Sequence, residues 1–251
     1  MNLFTYFVGF YMMRLSSITC EDCLFSFLYR NTANYFPMNF LTAMSYHMAY
    51  VQYSTTALIS FNRLSVLWNY SVMEPIWNRY SWLIGFVVFA LPFLDTHRCF
   101  YYKTGIDYFP ETRSYGLVTP MPISQNFYYL TPAMSIFTII SVGVNLLSLC
   151  IVRNLKTQKK EEVETNFIII MTITCVVQFF GCCLSVARVI LETHPIAKTL
   201  VLIVPFVSDG LTLVQPWLLV FFSGPMRTKI MGMLKWKDTS SSPVVVRSLN
   251  V

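Results

Sequence analysis

An ionisable side chain inside a long apolar run has few options, and Asp209 is in that position. It lies near the middle of the run from Leu200 to Phe222. An ionised carboxylate there costs on the order of 3 kcal/mol on insertion scales, so it must face neighbouring helices, find donors or keep its proton. The amides of Asn145, Gln178 and Gln215 are donors of the right kind. A bound cation or a plain structural hydrogen bond meets the same need. Pro205 and Pro216 stand in the same run and should bend or open that helix, as a moving joint or as static shape. Arg14 and Arg188 are the other charges within apolar runs, on different runs and at different expected depths.

Cysteine chemistry has one foothold. Cys20 and Cys23 form a C-x-x-C, and Cys99 lies in a long loop expected on the same side of the membrane. A disulfide from that pair to Cys99 would tether the loop, whereas a zinc site needs more ligands than the sequence supplies. A small-molecule pocket is mostly apolar with a few placed polar groups. Tyr46, His47, Tyr50, Tyr128, Tyr129 and Arg188, in the outward halves of their runs, are of that type, although each also suits packing or interfacial anchoring. Catalysis finds no footing. His47, His97 and His194 are far apart, and the sequence holds no HExxH, no GxSxG and no Gly-rich phosphate loop. The chain reads as no enzyme, with neither metal nor cofactor.

The elements that must position these residues are membrane helices. Of 251 residues, 55% are hydrophobic and 12% charged, against about 25% charged in a soluble domain. So few charges cannot cover a water-soluble surface. The expected fold class is all-α, a polytopic transmembrane helix bundle within residues 1–236 with about six spans, at 3–28, 39–61, 80–95, 126–152, 165–191 and 200–222. The first is the poorest, because Arg14 interrupts it and Glu21 and Asp22 lie near its end. Residues 237–251 form a Ser-rich tail of the composition of a disordered segment.

The net charge of +6 is spread in short clusters between apolar runs, which suits membrane topology and not a nucleic-acid face. Alternate connections separate by charge. One side holds Arg63, Arg79, Arg153, Lys156, Lys159, Lys160, Arg227, Lys229, Lys235, Lys237 and Arg247; the other holds Arg30, Arg98, Lys103, Arg113 and Lys198. Basic loops stay in the cytoplasm, which places the C-terminus there and, with six spans, Met1 as well. The cluster from Arg153 to Lys160 then meets anionic lipid, and Tyr80, Trp82, Tyr101 and Tyr102 belong to an interfacial belt.

Two stretches carry a resemblance. FLTAMSYHMAYVQYSTTALISFNRLSVLWNYSVMEPIWNRYSW, from Phe40 to Trp82, resembles the third span and following loop of the nematode serpentine chemoreceptors of class gamma, the Srg family. PFVSDGLTLVQPWLLVFFSGPMRTKI, from Pro205 to Ile230, resembles that family's last span with its Asp, its late Pro and the basic residue beyond it. The resemblance implies a seven-transmembrane, G-protein-coupled receptor in the plasma membrane of a sensory cell, binding a small external chemical and activating a heterotrimeric G protein. Compared with that pattern, these residues are expected to begin after the first of the seven spans. The resemblance also suggests that Asn62 and Arg63, at the cytoplasmic end of their span, form a signalling latch. The alternative is an Arg that snorkels to lipid phosphates.

Two other readings compete. A small transporter or channel would use broken helices, two similar halves and paired intramembrane charges along a path. No internal repeat is present, and Arg14, Arg188 and Asp209 are expected apart. The other reading is a truncated, non-signalling relative of the receptors.

Overall fold

An apolar run that leaves water has one conformation that bonds all its backbone groups within the segment, the helix. In the computed structural model, the described residues are 2–30, 37–154, 161–191, 194, 196–222, 228 and 232. They are mostly helical. Among them, three stretches are long and apolar enough to cross a membrane: Tyr70–Tyr101, Phe127–Val152 and Ile169–Ile190.

The first helical segment runs as α1 (Asn2–Gly9), a π-helical turn (Phe10–Leu15) and α2 (Ser16–Ile18). It ends well short of Leu28. Thr19 turns to an extended backbone and its hydroxyl bonds the Leu15 carbonyl at 2.5 Å, taking an acceptor that a further turn would need. Cys20 and Cys23 then bond to each other around a tight turn, and a short α3 follows (Phe27–Arg30).

The central helix, α4 (Met38–Trp68), packs against nearly every other long element. Its Thr42, Thr56 and Ser60 are buried, and Thr56 and Ser60 hydroxyls bond carbonyls one turn back. Small hydroxyl residues allow helices to approach closely without leaving a donor unsatisfied. Asn69 breaks the chain direction with φ −148°, and α5 (Tyr70–Ala90) begins at once. The expected span over 80–95 thus belongs to a longer helix, which continues through α6 (Phe93–Thr96) and a 3-10 turn (His97–Tyr101). No residue of α5 is buried, and Trp82 and Phe86 face outward, as on a helix in contact with lipid. α7 (Ile123–Asn154), α8 (Glu161–Ile190) and α9 (Ile196–Phe222) complete the set. α7 packs on α4 and α8, α8 on α9, and α9 on the first helix.

The all-α expectation needs one amendment. The connection over 96–123 contains an antiparallel hairpin, β1 (Gly105–Phe109) with β2 (Ser114–Val118), in which Tyr108 faces Tyr115. Its turn places Arg113 at φ 51°. Gly116 has no Cβ because one there would lie 2.9 Å from the Phe109 ring. The inward face, Ile106 and Tyr115, buries against Val8, Met12, Tyr29 and Met38. Tyr29 stacks between Tyr11 and Tyr115 and donates to the Tyr11 carbonyl at 2.8 Å. The hairpin therefore caps the first helix.

Candidate functional site

Between α4, α5 and α7 lies a cavity of about 830 Å³, within the range typical of small-molecule sites. α5 packs on α4 but stands off α7, and this gap is the cavity. Ser54 and Ala57 form its floor, Val87 and Leu91 one wall, Ala133 and Phe137 the other. The small side chain of Ala57 and the hydroxyl of Ser54, turned back onto the Tyr50 carbonyl at 2.7 Å, leave room that larger residues would fill.

One end of the cavity is polar. The Tyr50 hydroxyl donates to Asp95 Oδ2 at 2.6 Å, and Arg98 bonds Asp95 Oδ1 at 2.9 Å. The same guanidinium lies 5.2 Å from the centre of the Tyr129 ring, a cation–π contact that ties the end of α6 to α7. Asp95 and Arg98 are three residues apart, so one helical turn brings them together. At its polar end this arrangement can hold a hydrogen-bonding group, and along its length an apolar body.

Of the residues expected to line a pocket, Tyr50 and Tyr129 do so. Tyr46 and Arg188 meet elsewhere, around Phe127: Tyr46 packs edge-on against that ring at 5.9 Å and Arg188 lies 5.2 Å over it. His47 is fully buried towards α6, 4.0 Å from the Phe93 ring centre and 3.2 Å from the Thr96 hydroxyl. Tyr128 points outward. Asp95 and Arg98 were not anticipated as site residues, because Asp95 reads as the polar end of a span and Arg98 as a loop charge. Their opposite charges at i, i+3 spacing, one helical turn apart, were the available signal.

Asp209 finds a partner that none of the sequence candidates supplies. It is ion-paired with Arg14 of the first helix, and that guanidinium also lies 4.9 Å over Phe206. The two charges, expected on separate runs at different depths, are at one depth. Asn145 donates instead to the Cys175 sulfur at 2.7 Å, and Gln178 bonds the Tyr53 carbonyl at 3.4 Å. The Gln215 side chain lies outside the described residues. Tyr53 returns a bond to the Gln178 carbonyl at 3.2 Å, over Gly181, where a Cβ would come within 2.5 Å of the Tyr53 oxygen. Cys99 is buried with a free thiol beside Ala43 and Met121, so the Cys20–Cys23 bond leaves it out.

At the other end of α4, the Asn62 carbonyl accepts from Ser65 at 2.8 Å, and Trp77 donates to the Ser65 hydroxyl at 2.9 Å. Arg63 is on the exposed face there. The basic connection from Lys156 to Lys160 and the tail at 237–251 lie outside the described residues. Among the described residues no three His, Cys, Asp or Glu side chains converge as metal ligands.

Comparison with known proteins settles the family. A model described as Srg family chemoreceptor matches residues 1–230. The chain belongs to the Srg family. It is 21% identical over 239 residues to serpentine receptor class gamma-31 of Caenorhabditis elegans, an alignment covering 91% of this chain and 77% of that protein. No solved structure matches. Within this Srg chain the NRLSVL segment, from Asn62 to Leu67, closes the central helix α4, and the SDG segment carrying Asp209 supplies the ion pair to the first helix. Membership in a receptor family, and not in a family of catalysts, agrees with the lack of catalytic motifs in the sequence.

Proposed function

We propose that this Srg chain is a G-protein-coupled chemoreceptor of the plasma membrane of a sensory cell. It binds a small external chemical within a bundle of about six membrane spans, with its C-terminus and the Asn62–Arg63 end of α4 towards a heterotrimeric G protein. The observation that carries this reading is the cavity between α4, α5 and α7, apolar along its walls and lined at one end by Tyr50 and by Asp95, whose carboxylate is paired with Arg98. Family membership supports the same reading. Binding at such a site can change the equilibrium between two helix arrangements only through a difference in affinity for them. Of the three helices around the cavity, α5 is the one least held by its neighbours.

The test is nucleotide exchange on purified G protein with the full chain reconstituted in lipid nanodiscs. Exchange above that of empty nanodiscs, lowered several-fold by Arg63→Ala at equal amounts of folded protein, is the expected result. Exchange at background, together with solute or ion flux in proteoliposomes, would replace the proposal with the transporter or channel reading. Background exchange without flux leaves the non-signalling relative.

A further inference from the structure

The cavity's chemistry narrows what it can hold. Its polar end is already charge-balanced, since the Asp95 carboxylate faces the Arg98 guanidinium at 2.9 Å. An added cation or anion would bring an unbalanced charge into a site surrounded by apolar side chains, which costs several kcal/mol unless it is paired. A neutral group escapes that cost. Hydrogen-bonding capacity is also directional. The Tyr50 proton is committed to Asp95, so what this pair offers the cavity is acceptor capacity, the spare lone pairs of the carboxylate and of the Tyr50 oxygen. The Arg98 Nε has no hydrogen-bond partner among the described residues, but Arg98 is not among the residues that line the cavity. The complementary ligand group is a donor.

The rim shows where such a ligand enters. Phe61, Leu91, Leu94 and Ile140 line the cavity and are all exposed on the outer surface of the helices. The opening is therefore lateral, on a face of the kind that meets lipid chains, while Arg98 reaches over Tyr129 across the polar end. A molecule that already partitions into the bilayer reaches the site without crossing that ion-paired end.

From these observations we infer that the groove between α5 and α7 takes a neutral, mainly hydrocarbon molecule with a single hydrogen-bond-donating end, such as an alcohol. It enters from the bilayer and donates to Asp95. The inference rests on the chemoreceptor reading for the external origin of the molecule, but the groove and its selectivity are measured apart from signalling.

Three photoreactive probes test it, each with the same dodecyl chain and diazirine but ending in a hydroxyl, a carboxylate or a trimethylammonium. They are offered to the full chain in nanodiscs, and labelling is mapped by peptide mass spectrometry and normalised to the label taken up by the lipid. The expected result is hydroxyl-probe labelling on the peptides of Val87 and Leu91 and of Ala133 and Phe137. It should exceed that by either charged probe by at least about tenfold, the ratio equivalent to roughly 1.4 kcal/mol. Ala133→Trp fills the groove and should abolish labelling, and Leu91→Trp, on the exposed wall, does the same with less risk to folding. Ile139→Trp, on the outward face of α7, should leave it unchanged. Asp95→Asn removes the balancing charge, leaves Arg98 uncompensated and should reverse the order in favour of the carboxylate probe.

Equal labelling by all three probes, an order unaltered in Asp95→Asn, or labelling that survives both tryptophans would each overturn the inference. Displacement of the hydroxyl probe by cholesterol at membrane concentrations would overturn the external source and make the occupant a membrane alcohol. Selective labelling with no stimulation of nucleotide exchange would support the ligand class and count against the receptor reading.

Discussion

Arg14, in the π turn of the first helix, is ion-paired with Asp209 in the last long helix, and the two residues come from opposite ends of the chain. A π turn widens the helix by one residue, and here it falls where the arginine must reach a neighbour. The pair explains why each charge is tolerated inside an apolar run: each supplies what the other lacks. Replacing one partner strands the other, which costs about 3–5 kcal/mol for a buried pair, while replacing both with apolar residues is often close to neutral. Both side chains here retain some exposure, 29% and 21%, so the lower end of that range is expected. Arg14→Met and Asp209→Leu should each lower the melting temperature in detergent more than the double variant does. A double variant whose loss equals the sum of the singles would show that the pair contributes nothing.

Gly181 and Tyr53 form a second interhelical constraint. A Cβ at Gly181 would lie 2.5 Å from the Tyr53 oxygen, which is held against the Gln178 carbonyl. Gly181→Ala should therefore cost about 1–3 kcal/mol through overpacking, with α8 pushed from α4. Adding Tyr53→Phe removes the obstructing oxygen and should recover much of the loss. Thermal unfolding of the three variants decides the point, and a neutral Gly181→Ala would mean that α8 can shift freely.

The only Asn-X-Ser/Thr sequence is Asn69-Tyr70-Ser71. Asn69 is exposed at the break between α4 and α5, and its side chain accepts from the Ser71 hydroxyl at 3.0 Å. On the proposed orientation, with the side rich in Lys and Arg in the cytoplasm, it should carry no sugar when expressed in cells that glycosylate. A mass shift removed by an endoglycosidase would invert the orientation.

Tyr29 lies in α3, beyond the end of the first helix, and burial followed by the nearby Tyr11 phenol pushes its ionisation above the ordinary tyrosine range. The folded state thus holds this proton more tightly than the unfolded chain. The stability gained is complete below the ordinary value near 10 and is lost as pH rises above it towards the folded value. Tyr29→Phe should be less stable at neutral pH by about 1 kcal/mol, for the lost bond to the Tyr11 carbonyl. It should also show a shallower loss of stability above pH 10. Parallel alkaline slopes for the two proteins would show that Tyr29 is free to ionise.

The helices were legible where their cause is local. The runs that become α7 and α8 are apolar over a membrane's thickness, and hydropathy is a property of neighbours in sequence. Their ends were less legible, because ends depend on single contacts: Thr19 on Leu15 stops the first helix, and Asn69 separates α4 from α5. The hairpin was missed although Ile106 and Tyr108 alternate with their neighbours, because a strand of five residues is too short for alternation to stand out against a Tyr-rich loop. Tyr50 and Tyr129 were readable as pocket residues from their type and depth. Asp95 was not, since a carboxylate at the end of an apolar run has an adequate explanation in the membrane surface.

What the sequence determined by itself is the class of the molecule: a helical membrane protein with the ordered motifs of a receptor family, because length, hydropathy and motif order are written along one dimension. What the tertiary structure decided is which polar groups meet. Asp209 pairs with Arg14 while Asn145 and Gln178 bond elsewhere, and Asp95 came to close a cavity against Tyr50 and Tyr129. Inside a membrane every buried polar group must find a partner, but many partners satisfy that rule. The packing of helices far apart in sequence selects among them.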